Sequence, residues 1–264
     1  MFVIPFHNID PVILKITPAI SLNWYGVSYL AGVIFVMFQS ERMSRKRPLE
    51  FPEGVFKNCM FVAMLSIVVG GRLGDVIFYN FHYYLHNPLE IFATWKGGMS
   101  FHGGLVGAII AAIFYSRYYK VKFTSFMDLL AVNIPIALMF GRLANFINGE
   151  LYGRYTDVAW AIPFPKGGSL PRHPSQLYEG ALEGIFLYLV LRLIYKHKQQ
   201  KSGVTASSFL IGYGIARFIS EYFRDTETLS WIHSDWLSGG QILSVPMILC
   251  GVGFMIFFNN KKTS

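Results

Sequence analysis

Residues 141–153 read Gly-Arg-Leu-Ala-Asn-Phe-Ile-Asn-Gly-Glu-Leu-Tyr-Gly. If a helix continues to Ile147, Arg142 and Asn145 stand three apart on one face, and a guanidinium and a carboxamide converge on one spot. A guanidinium grips phosphate through its planar fork, and an amide can hold a hydroxyl. The plainer alternative is that Arg142 pairs with Glu150 and ties the following loop to the helix. Further along, Arg217, Glu221 and Arg224 fall at i, i+4 and i+7. They carry an excess of one positive charge, which would join Arg142 and invite an anion if the two helices meet. Alternatively they are a self-neutralised pair with one interfacial arginine.

A second group could move protons. His102 follows Gly97-Gly98-Met99-Ser100-Phe101 and precedes Gly103, Gly104 and Gly107. Imidazole accepts a proton near neutral pH, and the glycines admit a close neighbour. A satisfied structural histidine is the alternative. Arg172-His173-Pro174-Ser175 introduces another apolar run, with Pro174 at its start and Ser175 as a cap. Within that run Glu179 and Glu183, four apart, are expected to balance arginines from other helices. Arg72 and Asp75, three apart, read as an internal pair, and Tyr25 reads as interfacial. Cys59 and Cys250 have no redox or metal spacing and read as packing residues.

Seven apolar runs must position these groups: about 22–38, 55–78, 99–116, 126–147, 177–194, 204–223 and 242–258. Each is long enough, or nearly so, to cross a bilayer as a helix. Of the 264 residues, 53% are hydrophobic and 14% charged, against roughly a quarter charged for a soluble domain. The chain therefore reads as one all-α, polytopic membrane domain over 1–264, not as a soluble globule, a disordered chain or a disulfide scaffold. Arg72, Asp75, His102, Asp128, Arg142, Glu179, Glu183, Arg217 and Glu221 then lie inside spans. Insertion of Arg or Asp at a helix centre costs about 2.5–3.5 kcal/mol, so such residues are functional candidates by default.

The formal charge of +8 would suit nucleic acid, but the basic residues cluster between apolar runs, so none is expected to be bound. Segments 41–54, 116–124, 192–203 and 259–264 hold four, three, four and two Lys and Arg. Residues 1–21, 79–98, 148–176 and 222–241 hold one, one, three and one. The richer set is every second connection, which places the N-terminus outside and the C-terminus in the cytoplasm. The first 21 residues mix Pro5, Asp10, Pro11, Lys15 and Pro18 with apolar side chains, so no cleavable signal peptide is expected. Residues 148–176 form a long outer-side segment whose aromatics argue for order.

Together these strings resemble the bacterial prolipoprotein diacylglyceryl transferases. The resemblance covers essentially the whole chain: Asn-Trp-Tyr-Gly at Tyr25, Phe-His-Gly-Gly-Leu-Val-Gly at His102, the 141–153 string, Arg-His-Pro-Ser-Gln-Leu-Tyr-Glu at 172–179 and Ala-Arg-Phe-Ile-Ser-Glu-Tyr-Phe-Arg at 216–224. Ala144 stands where glycine is frequent and Tyr152 where tryptophan often stands; neither change removes a polar group.

The resemblance implies a seven-span enzyme of the bacterial plasma membrane, the inner one where there are two. Its reaction moves the diacylglyceryl group of phosphatidylglycerol onto the lipobox cysteine of a preprolipoprotein signal peptide, forming a thioether and releasing glycerol phosphate. By the same resemblance Arg142 binds the lipid phosphate, with Asn145, Glu150 and Gly153 completing the signature site. Tyr25, His102, Arg217 and Glu221 match further functional positions. A thiol of pKa about 8.5 needs a base, for which His102 is the candidate. Arg142 and Arg217 would stabilise the departing phosphate. No metal or cofactor is expected. The rivals are a carrier or flippase for anionic lipid headgroups and a serine hydrolase at Ser100. In the latter, Ser100 and His102, only two apart, would not face each other on a helix.

Overall fold

The computed structural model describes residues 4–17, 21–94, 97–198, 201–225 and 237–260. Pro18, Lys96, Lys261 and Lys262, used in the sequence reading, lie outside the described residues, as do residues 226–236.

The described chain is mostly helical. Strands β1 (Val12–Lys15) and β2 (Ser21–Asn23) pair antiparallel ahead of α1 (Trp24–Ser44). Then come α2 (Val55–Phe78), the short α3 (Phe81–His86), α4 (Phe101–Tyr118) and α5 (Phe123–Ile147). The last group is α6 (Ser175–Glu179), α7 (Leu187–Lys198), α8 (Val204–Ser220) and α9 (Gly239–Asn260). Every apolar run of the sequence is helical. The hairpin departs from the all-α expectation: the Asp10 carboxylate accepts the Val12 N–H, and that turn starts an extended run of β-formers instead of a helix. A second departure lies between α6 and α7, where Gly180–Phe186 is π-wound.

The helices α2, α5 and α9 are long and apolar enough to cross a membrane. Polarity is distributed inside out, consistent with an all-α membrane protein. Val69 and Ile77 of α2, Phe114 of α4 and Leu249 of α9 are exposed, while Asn133, Gln176, Glu179 and Glu183 are buried. In water such a surface would aggregate; in hydrocarbon it is solvated, and it is the polar groups that must find partners inside.

The chain forms two compact units, Met37–Met127 and Met1–Val36 with Asp128–Ser264. In the first, α2 and α4 meet along glycines. A Cβ on Gly74 would lie 2.8 Å from the Gly103 Cα, and one on Gly103 would strike the Gly70 carbonyl. Glu41, fully buried, accepts the N–H groups of Gly54 and Phe56 and so caps the start of α2. In the second unit Asp128 performs the same service for α8, accepting from Gly203 and Ala206 at 2.7 Å each. The orphan N–H groups of a helix start favour a carboxylate, which is the service Asp128 performs inside a span.

Candidate active site

In the second unit the end of α5, the end of α6 with the π-wound turn after it, and the end of α8 with the residues that follow it gather three arginines and three glutamates. Arg142 Nη2 lies 2.8 Å from Glu179 Oε2 and 3.2 Å from Glu183 Oε2. Arg217 Nη1 lies 2.8 Å from the same Glu179 oxygen, and its Nη2 lies 2.8 Å from Glu221 Oε2. Arg224 Nη1 stands 3.4 Å from Glu179 Oε2. The sequence reading that Glu179 and Glu183 balance arginines from other helices is borne out, and Arg142 pairs with these two rather than with Glu150.

The expected positive excess is not there. Three guanidiniums face three carboxylates, so with all six ionised the cluster is neutral. What the geometry supplies is direction. Among the described residues Arg142 commits only Nη2 to carboxylates, which leaves Nε and Nη1 as donors on a side chain that is still 18% exposed. The glutamate side chains are 0–4% exposed and fix the planes of the forks.

Local sequence explains the convergence. Gly184 lets α5 approach, since a Cβ there would lie 2.6 Å from the Met139 Cβ. The π turn sets Glu183 where Arg142 reaches it as well as Glu179, and such turns recur at functional sites. Gly240, in the first turn of α9, sits over Glu221: a Cβ would fall 2.6 Å from its carboxyl carbon. The positive end of the α9 dipole favours a carboxylate there.

Asn145, three residues beyond Arg142, turns to a different partner. Its Nδ2 donates to Glu150 Oε1 at 2.9 Å, and the Glu150 N–H returns to the Asn145 carbonyl at 3.0 Å. Gly149 and Leu151 both have positive φ, at 62° and 56°. Gly153 is a packing residue: a Cβ would lie 2.7 Å from the His173 Cβ and would strike the Phe223 carbonyl. Its N–H donates to the His173 carbonyl. The Ser175 hydroxyl donates to the Leu151 carbonyl instead of capping α6, because Pro174 occupies the cap position.

The loop is clamped by Arg172, which sequence reasoning gave no role. Its guanidinium donates to the carbonyls of Gly167 and Gly153 and to Asp225 Oδ2 at 2.6 Å, and it lies 3.8 Å over the Tyr155 ring. His173 Nδ1 is 3.2 Å from the Tyr178 hydroxyl, and burial pushes its pKa down. Tyr25 hydrogen-bonds Tyr29 at 3.2 Å and lies within electrostatic range of Glu150 and Arg142. Tyr213, also missed, is within the same range of Arg142, Glu183 and Arg217. Its spacing of four from Arg217 was the available signal.

His102 belongs to the other unit. It follows Ser100, whose Oγ accepts the Gly103 N–H as a helix cap, a duty that further weakens the hydrolase rival. The expected Arg72–Asp75 pairing is replaced. Arg72 donates to the carbonyls of Glu90, Ile91, Ala93, Gly97 and Gly98, while Asp75 accepts from Asn80 and Tyr84. Five acceptor carbonyls satisfy a planar fork better than one carboxylate three residues along the helix. Among the described residues, no group of three or more His, Cys, Asp or Glu side chains could hold a metal ion.

Apolar-surfaced helices around a buried set of paired arginines and glutamates define a helical membrane protein with a polar reaction-grade centre. A family model described as prolipoprotein diacylglyceryl transferase matches residues 11–257, and the chain belongs to that family. A protein of Photobacterium profundum is 45% identical over 252 residues, covering 96% of this chain and 94% of that protein. One of Brucella anthropi is 44% identical over 260 residues, covering 95% and 92%. One of Vibrio vulnificus is 45% identical over 252 residues, covering 96% and 92%. All three are named phosphatidylglycerol–prolipoprotein diacylglyceryl transferase.

Proposed function

We propose that the chain transfers the diacylglyceryl group of phosphatidylglycerol to the lipobox cysteine thiol of preprolipoproteins. The observation that carries the reading is the Arg142–Glu179–Arg217 bridge, in which one buried carboxylate oxygen holds two guanidiniums at 2.8 Å. In the reaction a carbon–sulfur bond forms at the glyceryl carbon as its bond to the phosphate oxygen breaks, and glycerol phosphate leaves with the electron pair. Negative charge grows on that phosphate in the transition state, where the spare donors of Arg142 and those of Arg217 meet it at full strength. Because the glutamates have already ordered the forks, little reorganisation remains for the chemical step.

His102 takes the thiol proton. Asn145 and Glu150 bind the lipid headgroup, their mutual hydrogen bond being exchangeable for one to a glycerol hydroxyl. Gly153 keeps the loop that carries them closed, Glu221 orients Arg217, and Tyr25 borders the site from α1. The seven long helices cross the bacterial plasma membrane with the N-terminus outside, the C-terminus in the cytoplasm and residues 148–176 as the outer head. The alternation of basic connections and the apolar helix surfaces support this topology.

Purified protein incubated with phosphatidylglycerol vesicles and a lipobox peptide tests the proposal. Mass spectrometry should find one diacylglyceryl group on the cysteine. A peptide left unmodified, while labelled lipid moves between leaflets, would favour the carrier reading.

A further inference from the structure

Beside the arginine–glutamate cluster lies a half-open cavity of about 160 Å³. It is lined by residues 149–152, Lys166, Arg224 and Asp225. It is smaller than the roughly 300–1,000 Å³ of sites for drug-sized molecules, so it has no room for a lipid but does have room for a small polar one.

Two of its lining side chains are cations, Lys166 and Arg224, and two are carboxylates, Glu150 and Asp225. Gly149, at positive φ, closes the end of α5, with its N–H on the Phe146 carbonyl and that of Glu150 on the Asn145 carbonyl, and Leu151, also at positive φ, turns the chain onward. The N–H groups of Leu151 and Tyr152 make no hydrogen bond among the described residues. Leu151 is a branched, non-glycine residue in the left-handed region, a strain commonly found where a loop clamps a ligand. Arg224, only 4% exposed, has no hydrogen-bond partner for Nε among the described residues, and that atom stands 3.8 Å from Glu221 Oε2. The two carboxylates on the wall are already engaged, Glu150 by Asn145 and Asp225 by Arg172. Lys166, exposed, adds an ammonium.

Arg224 also fixes the cavity's place. Its Nη1 reaches the Glu179 oxygen that holds Arg142 and Arg217, so one side chain joins the cavity to the cluster. From this juxtaposition we infer that the cavity is a product site, taking the phosphate of the glycerol phosphate that leaves the arginine cluster before it escapes to water. The inference rests on the proposed transfer reaction. The same chemistry, a phosphate ester, is offered by the intact lipid headgroup, and the experiment separates the two.

Binding of free glycerol phosphate to the whole protein in detergent is measured by calorimetry, and its inhibition of initial rates is measured with the Michaelis constant for phosphatidylglycerol. The wild type should bind it saturably. Lys166→Gln should weaken both binding and inhibition roughly tenfold, the scale of one charge-assisted hydrogen bond. Lys166→Arg should restore them, and neither variant should change the Michaelis constant for the lipid. A Michaelis constant raised by Lys166→Gln with product affinity unchanged would assign the cavity to the lipid headgroup and overturn the inference. Absence of saturable binding to a wild type that forms the thioether would overturn it too, leaving the transfer reaction intact. Saturable, Lys166-dependent binding by a protein that forms no thioether would overturn the product role and the transfer reading together.

Discussion

Arg142 on α5 and Arg217 on α8, 75 positions apart in the sequence, meet on a single atom, Glu179 Oε2. Two guanidiniums repel one another in a medium of low dielectric, and the shared carboxylate is what holds them together.

Glu179→Gln should therefore damage both fold and rate. Breaking a buried ion pair by removing one partner costs about 3–5 kcal/mol, which should be visible as a lowered unfolding midpoint in detergent. Activity should fall about a hundredfold or more as the forks lose registry. A variant with wild-type melting and turnover would show that the bridge is dispensable.

Arg142→Lys keeps the charge and loses the fork. A point ammonium cannot hold Glu179 and Glu183 and still direct two donors at a phosphate. Turnover should drop by about 10²–10³, the effect of removing one donor to a developing oxyanion. Steady-state rates close to wild type would refute the phosphate role.

His102→Gln addresses the base. The variant should lose most activity at neutral pH and regain part of it as rising pH ionises the thiol of the peptide without help. If turnover persists unchanged from about pH 6 to 9, the proton goes elsewhere, with Glu150 and Glu221 as the next residues to replace.

Two glycines of one motif make opposite predictions. Around Gly141 a Cβ meets nothing within 4 Å, whereas at Gly153 it meets His173 at 2.7 Å. Gly141→Ala should be silent or slightly stabilising, as alanine usually is within a helix. Gly153→Ala should open the outer loop and abolish transfer. Limited proteolysis of residues 148–176, together with activity, would tell the two apart.

The head segment should loosen on acidification through His173. Burial holds this imidazole below its ordinary value of 6.5. The unfolded chain therefore binds its proton first, so the stabilisation is complete above about pH 6.5 and declines as the pH falls toward the lowered folded value. Hydrogen exchange across residues 150–175 should show extra opening at about pH 5.5 relative to pH 7. His173→Gln should remove that excess; an identical pH response in the variant would assign it to another group.

Much of this was legible in the residues. Period and length place all the long helices, because apolar runs of this extent have few other solutions. The charged positions announce themselves through the cost of burying them, and Glu179 with Glu183 was readable as a counter-charge to arginines on other helices. Which arginines was not readable, since pairing across 34 to 45 residues depends on how helices pack. Arg72 shows the limit well: three residues from Asp75 it looks paired, yet its fork is spent on five carbonyls of a later connection. The cap made by Asp128 and the close approach at Gly153 were likewise hidden until their neighbours were seen. The cavity beside Arg224 depends on two left-handed residues, one of them Leu151, and no propensity foretells that.

The most direct test counts both products of one turnover. Wild type and Arg142→Ala are incubated with phosphatidylglycerol and a lipobox peptide, and the thioether and the released glycerol phosphate are quantified in the same sample. The account predicts equal molar amounts from the wild type and neither product from the variant, with the variant still folded and still binding peptide. Glycerol phosphate released without thioether, or thioether formed at wild-type rate by Arg142→Ala, would contradict it.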